Sequence, residues 1–316
     1  MVNTLTLAHG EDPDGIISHA FLESHEHIFA RYDRIGEAFE EAAGSDAEVI
    51  LIADLNVNPR LLSKESILEK LVKGRKVEWY DHHTGTLANK AKLESLGVAV
   101  HYEPDNCASL IIAKHLSFTG YHLRLAEIAQ TSDYKSTTED CEGIPPAEKL
   151  EKIISLANEN MNDGLLLELV YGLRKGLVFN KKWELLPSWK YYLGKFKERE
   201  KKDYGEINDT ISVIKVNQYN VLFCYASPLI AKQAVNDFRD QYKEHADIFI
   251  CLSRAPLRNH LVLKTENSSF PVILFAQNLG GGGRQTGAGF TLDYDITPEN
   301  YEAVKGMLVE ELRKYS

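Results

Sequence analysis

Acidic residues and histidines gather in the first 133 residues in a pattern suited to metal chemistry: His9, Asp12 and Asp14, then Asp54, then Asp81-His82-His83, then Asp133. A donor set of carboxylates and imidazoles suits Mn²⁺ or a related hard-to-borderline cation better than a thiolate-preferring one. A bound cation of this kind lowers the pKa of a coordinated water, so the chemistry these residues could perform is that of a metal centre. Each has an ordinary alternative, since an aspartate after a strand is often a turn residue or helix cap, and a lone histidine is often a core or loop residue. The triplet is the sharper signal, because 11 histidines in 316 residues seldom produce it by chance. Farther along, Gly280 to Gly283 precede Arg284. Side-chain-free backbone can present successive N–H groups to an anion, and a guanidinium can clamp a phosphate bidentately, although a glycine run alone is often only a flexible loop.

The elements that would position these residues follow from periodicity. Leu5 to Ala8, Val49 to Ala53, Val77 to Tyr80 and Val98 to Tyr102 read as strands, each just before a cluster of polar residues. Between them Gly15 to Phe29 reads as a helix, and Asn58-Pro59 caps another that carries Leu61, Leu68, Leu71 and Val72 and stops at Gly74. Asp105 is expected to cap a helix through Leu110, Ile111 and His115. This alternation predicts a parallel sheet with crossover helices, the architecture in which ligands bind beyond the carboxyl ends of the strands. Residues 145 to 204 carry only helical patterns, broken at Pro187-Ser188. A second α/β unit then follows, with strands at Val221 to Tyr225, Ile248 to Leu252 and His260 to Lys264 around a helix from Ala231 to Tyr242.

Composition narrows the class. The chain is 44% hydrophobic and 26% charged, as expected of a globular protein of about two domains. No apolar run approaches the roughly 20 residues of a membrane span, and no secretion signal is visible, so a cytoplasmic protein without a membrane partner is expected. Cys107, Cys141, Cys224 and Cys251 form no Cys-x-x-Cys pair and read as reduced packing residues. A net charge of −10 disfavours unspecific binding to long duplex nucleic acid.

In their order, these motifs resemble the DHH phosphoesterase family, whose name is the triplet at Asp81-His82-His83. Its first motif is similar to His9-Gly10-Glu11-Asp12-Pro13-Asp14-Gly15, its second to Ala53-Asp54 and its fourth to Ser132-Asp133. The glycine run, with Arg284-Gln285-Thr286-Gly287-Ala288-Gly289-Phe290 after it, is similar to the family's second-domain signature. The likeness covers nearly the whole chain. It implies an α/β fold: an N-terminal parallel-sheet DHH domain (1–185), a helical connector (186–210) and a smaller C-terminal DHHA1-like domain that binds substrate (211–316). It also implies roles. His9 and Asp12 would hold one Mn²⁺ and Asp14, His82 and Asp133 the other, with Asp54 bridging and Mg²⁺ or Co²⁺ as substitutes. Asp81 would orient an imidazole from outside the ligand set. His83 would face the substrate phosphate or leaving group as a catalytic residue. Lys264, Gly281, Gly282, Gly283 and Arg284 would bind substrate, Arg284 also acting in catalysis. The family usually has histidine at Arg284, and relatives often carry Arg-Ser where this chain has Lys264-Thr265.

The compact two-domain layout is similar to the oligoribonuclease and pAp phosphatase branch of the RecJ-like superfamily. It implies a homodimeric phosphoesterase of short single-stranded oligonucleotides, with pAp a further candidate substrate. Two alternatives stand: an exonuclease on longer single strands, and a catalytically silent binding module. Between Arg174 and Asp203, ten basic and four acidic residues interleave with Trp183, Trp189, Tyr191, Tyr192 and Phe196, as in a groove that stacks single-stranded bases. Trp189, Tyr192, Leu193 and Phe196 equally fit the packed face of an ordinary helix.

Overall fold

The computed structural model describes all residues but 1, 58–60, 62–64, 135–144, 228, 254–260, 266–268, 280, 285–286, 291, 293–294 and 316. The chain divides into two compact units, Met1–Leu193 and Gly194–Ser316.

The first unit runs β1 (Thr4–His9), α1 (Pro13–Phe21), β2 (Glu26–Ala30), α2 (Ile35–Gly44), β3 (Val49–Ala53), α3 (Glu65–Val72), β4 (Lys76–Asp81), α4 (Thr84–Ser95) and β5 (Val98–Tyr102). Helices α5 (Ala108–His115), α6 (Gly120–Tyr134), α7 (Pro146–Glu159) and α8 (Asp163–Arg174) follow, and α9 (Pro187–Ile207) spans the division. The five strands are all parallel, in the order β2-β1-β3-β4-β5. Such a sheet must be covered on both faces, which explains its near-continuous apolar strands. On one face Leu5, Leu7, Ile50, Ile52 and Trp79 pack with Phe39, Leu68 and Leu71. On the other, Ala8, Ala53 and Tyr80 pack with Ile16, Ile17, Ile111 and Leu125.

Helix α1 starts where expected, with Asp12 as N-cap accepting from the Gly15 N–H and Pro13 in the first turn. It ends at Phe21, however, and not at Phe29. The Arg174 guanidinium, from the end of α8, donates to the carbonyls of His19, Ala20 and Leu22 and closes the helix. The chain then forms the edge strand β2, whose Ile28 and Phe29 extend the helical spacing of Ile16, Ile17 and Phe21 by coincidence. The cap of α5 also differs: Cys107 and not Asp105 precedes the helix, without a side-chain cap. The expected cap at Asn58-Pro59 lies outside the described residues, as does Cys141. Cys107, Cys224 and Cys251 are free and buried.

The second unit contains β6 (Ser212–Val216), β7 (Tyr219–Ala226), α10 (Ala231–Tyr242), β8 (Ile248–Ser253), β9 (Leu261–Thr265), α11 (Val272–Asn278), β10 (Gly282–Arg284), β11 (Gly287–Phe290) and α12 (Tyr301–Leu312). Its sheet has the order β10-β11-β9-β8-β7-β6. Its core gathers Val221, Phe223, Ile250, Phe275, Phe290 and Leu308. Among the described residues no helix is long and apolar enough to cross a membrane.

Candidate metal centre

Because β1, β3 and β4 are adjacent, the residues at their carboxyl ends arrive together, neighbouring strands being about 4.8 Å apart. His9 ends β1, Asp54 follows β3, and Asp81 ends β4. The order reverses between β1 and β3, the switch point at which open α/β sheets form a crevice. Two glycines allow the loops to close over it. A Cβ on Gly15 would lie 2.0 Å from the His9 carbonyl oxygen, and one on Gly85 would lie 2.4 Å from that of Val57.

Two groups of ligand atoms form, His9, Asp12 and Asp54 in one and Asp54, Asp81, His82 and His83 in the other, each within 4.8 Å. Asp54 belongs to both. His9 Nδ1 lies 3.0 Å from Asp12 Oδ2 and 3.5 Å from Asp54 Oδ2, while its Nε2 lies 3.2 Å from Glu11 Oε2. His82 Nε2 is 3.4 Å from Asp54 Oδ1, and its Nδ1 is 3.5 Å from Asp133 Oδ2. The His82 Nδ1–H donates to the Tyr134 hydroxyl (2.9 Å), which donates in turn to the Pro104 carbonyl (2.9 Å). This relay fixes Nδ1 as a donor and turns Nε2 toward Asp54. Asp81, fully buried, accepts from His83 Nδ1 (2.7 Å) and from the Thr86 hydroxyl.

Asp54 adopts φ +55°, a left-handed conformation that aspartate tolerates better than most residues. Burial, reinforced by the carboxylates of Asp12 and Asp14, pushes its carboxyl up to about 7. Burial opposes charge on His82, but Asp54, Asp14 and Asp133 outweigh it and push the imidazole up to about 9. Negative charge is thus concentrated without enough positive charge to balance it. Asp54 Oδ2 and His82 Nε2 are buried and make no hydrogen bond. Native interiors rarely leave such atoms unsatisfied. A divalent cation fits this donor set, since it would supply the missing partner to both atoms and match carboxylate and imidazole ligands.

A scan against protein-family models gives no match, and neither does a search of curated proteins. Solved structures do match. The pGpG-specific phosphodiesterase PggH from Vibrio cholerae is 12% identical at a TM-score of 0.54, with 99% of this chain and 100% of that one covered. RecJ from Thermus thermophilus, in complex with Mg²⁺, is 12% identical at a TM-score of 0.53, with 100% of this chain matched to 50% of that one. The chain has their fold.

The expected residues are not all placed alike. His9, Asp12, Asp54, His82, Asp133, Asp81 and His83 converge as described, with Asp12 and His83 the more open members at 33% and 32% side-chain exposure. Asp14 is buried and also reaches α5, both of its oxygens accepting from backbone N–H groups at the start of that helix. Glu11, Tyr134 and Gly85 were not singled out from the sequence. Glu11 and Gly85 stand inside or beside the motifs and were readable there, whereas Tyr134 is recognisable only once α6 is folded.

In the second unit Gly282, Gly283 and Arg284 are not a loop but the edge strand β10, paired with Gly289, Ala288 and Gly287. Glycines permit this pairing: a Cβ on Gly281 would lie 2.1 Å from the Gly289 carbonyl oxygen. Arg284 and Lys264 both stand opposite Gly287, in the same row of the sheet. Gly280, Gln285 and Thr286 lie outside the described residues. Most aromatic residues of 174–203 serve packing. Trp189, Trp183 and Tyr192 join the core of the first unit, Phe196 is buried, and Tyr191 stays exposed.

Proposed function

We propose that this chain is a divalent-metal-dependent phosphoesterase that hydrolyses short oligonucleotides, with Mn²⁺ as its ion and pAp as a second substrate. The observation that carries the reading is Asp54, shared by two groups of ligand atoms, with Oδ2 buried and without a hydrogen bond. In this reading His9 and Asp12 hold one ion, Asp14, His82 and Asp133 the other, and Asp54 stands between them. Bound divalent ions supply an activated water and neutralise the charge developing on the phosphoester. Asp81 fixes His83 through Nδ1 and leaves Nε2 to give a proton to the leaving oxygen. Lys264 and Arg284, in one row across Gly287, hold substrate phosphate together with Gly281, Gly282 and Gly283.

Two observations favour short substrates. Full-length likeness extends to a phosphodiesterase named for pGpG, while the match to RecJ spans half of that chain. The proposed stacking groove also loses two of its platforms, since Trp189 and Phe196 are buried, and Arg174 is committed to backbone carbonyls. The protein is proposed to act in the cytoplasm as a homodimer, and a solution mass of one chain, 35.7 kDa, would remove the dimer.

The test is Mn²⁺-dependent hydrolysis of pAp, di- to pentanucleotides, a cyclic dinucleotide and a long single strand, read by product length. Preference for the shortest linear substrates is expected. Efficient shortening of the long strand would replace this reading by the exonuclease, and absence of turnover on every substrate by a folded protein would replace it by the binding module.

A further inference from the structure

A second cluster of ligating side chains lies beside β4 and β5. Glu78 of β4, His101 of β5 and His115 at the end of α5 place one ligand atom each within 4.8 Å of one another. Glu78 precedes Asp81 by three residues, about 10 Å along an extended strand. His101 Nε2 is 3.1 Å from Glu78 Oε2. The His101 ring stacks on Tyr80, with centroids 4.4 Å apart and planes at 12°, and the His115 ring centroid lies 4.6 Å from that of His101. The Tyr80 hydroxyl donates to the same Glu78 oxygen (2.6 Å), while the exposed Lys76 ammonium takes Oε1 (2.6 Å).

We propose that Glu78, His101 and His115 form a further metal site that takes one borderline divalent cation such as Zn²⁺, separate from the candidate centre around Asp54. Two imidazoles and a carboxylate are an established zinc donor set that leaves a fourth position open to water or a small anion. With metal–ligand bonds of about 2.0–2.2 Å, a tetrahedral ion holds its donors about 3.4 Å apart, so donors within 4.8 Å need only small side-chain movements. Lys76 confines the carboxylate to one donating oxygen, and Tyr80 supplies the outer hydrogen bond that usually orients such a ligand. Burial, aided by the neighbouring His115, holds the His101 imidazole below its usual value, in the neutral form that ligates. The site would tie the C-terminal end of α5 to the sheet, while Asp14 holds the same helix at its N-terminal end.

The test uses the full chain carrying Asp54→Asn and His82→Ala, which silence the candidate centre, dialysed against Zn²⁺ and assayed for bound metal, with Co²⁺ absorption reporting coordination. One bound equivalent with tetrahedral Co²⁺ bands is expected. His115→Gln, at an exposed position, and separately His101→Gln should weaken that binding by at least about 10- to 100-fold, the cost of disturbing even an outer partner of a ligand. In the otherwise wild-type chain, His115→Gln should leave Mn²⁺-dependent turnover unchanged. Absence of specific Zn²⁺ in the silenced chain, or binding unaffected by both histidine substitutions, would overturn the site. Neither result depends on whether the chain hydrolyses phosphoesters.

Discussion

Asp14 sits against the first turn of α5, its Oδ2 accepting from the Ala108 N–H at 2.7 Å and its Oδ1 from the Ser109 N–H at 2.8 Å. A carboxylate there satisfies two donors that a helix start leaves open and lies at the positive end of the helix dipole. Hydrogen bonds to charged groups contribute about 1.5–3 kcal/mol each. Asp14→Ala should therefore destabilise the fold by about 3–6 kcal/mol in denaturant unfolding. Asp12→Ala, which removes an N-cap, should cost about 1 kcal/mol. Equal losses would show that Asp14 does not anchor α5.

At Asp54 the backbone separates two substitutions that chemistry would treat alike. Asparagine tolerates φ +55°, whereas alanine there costs roughly 1 kcal/mol more. Both variants should lose metal-dependent turnover, but Asp54→Asn should unfold at higher denaturant than Asp54→Ala. The reverse order would contradict the strained conformation.

Tyr134 controls which nitrogen of His82 carries the proton. Tyr134→Phe removes the acceptor of the Nδ1–H, and loss of such an outer partner typically lowers metal affinity about 10- to 100-fold. Metal titration should show this fall with the fold intact. Unchanged affinity would remove Tyr134 from the account.

Substrate and metal should separate at Arg284. Arg284→Ala is expected to raise KM for short oligonucleotides while the bound metal stays at the wild-type level. Loss of metal in this variant would contradict the proposed role.

His19 and His27 meet Nδ1 to Nδ1 at 3.1 Å beneath the C-terminal end of α1. Burial, with the Arg174 charge beside it, pulls His27 down to about 4, and burial with His27 beside it holds His19 well below its usual value. Between pH 6.5 and about 4 the unfolded chain therefore binds more protons than the folded one, and stability falls as pH falls. In His27→Gln the melting temperature should depend less steeply on pH across that window. An unchanged slope would contradict the assignment.

Much of the parallel sheet was legible because β1, β3, β4 and β5 are short apolar runs followed by polar residues, and the site was legible because its residues end those strands. What the sequence hid was set at a distance. The stop of α1 comes from Arg174, 154 residues beyond Ala20, so no local signal separates α1 from β2. The hold of Asp14 on the first turn of α5 shows only once that helix folds onto it. The glycine run reads as a loop because glycine lacks strand propensity, yet pairing with Gly287 to Gly289 overrides that preference.

Whether Asp54 and His82 hold catalytic metal is decided by measuring bound Mn²⁺ and dinucleotide hydrolysis on the same samples of wild type, Asp54→Asn and His82→Ala. Wild type should bind Mn²⁺ and cleave the dinucleotide, and both variants should lose the two properties together while remaining folded. Turnover that persists after chelation, or in Asp54→Asn, would contradict the account.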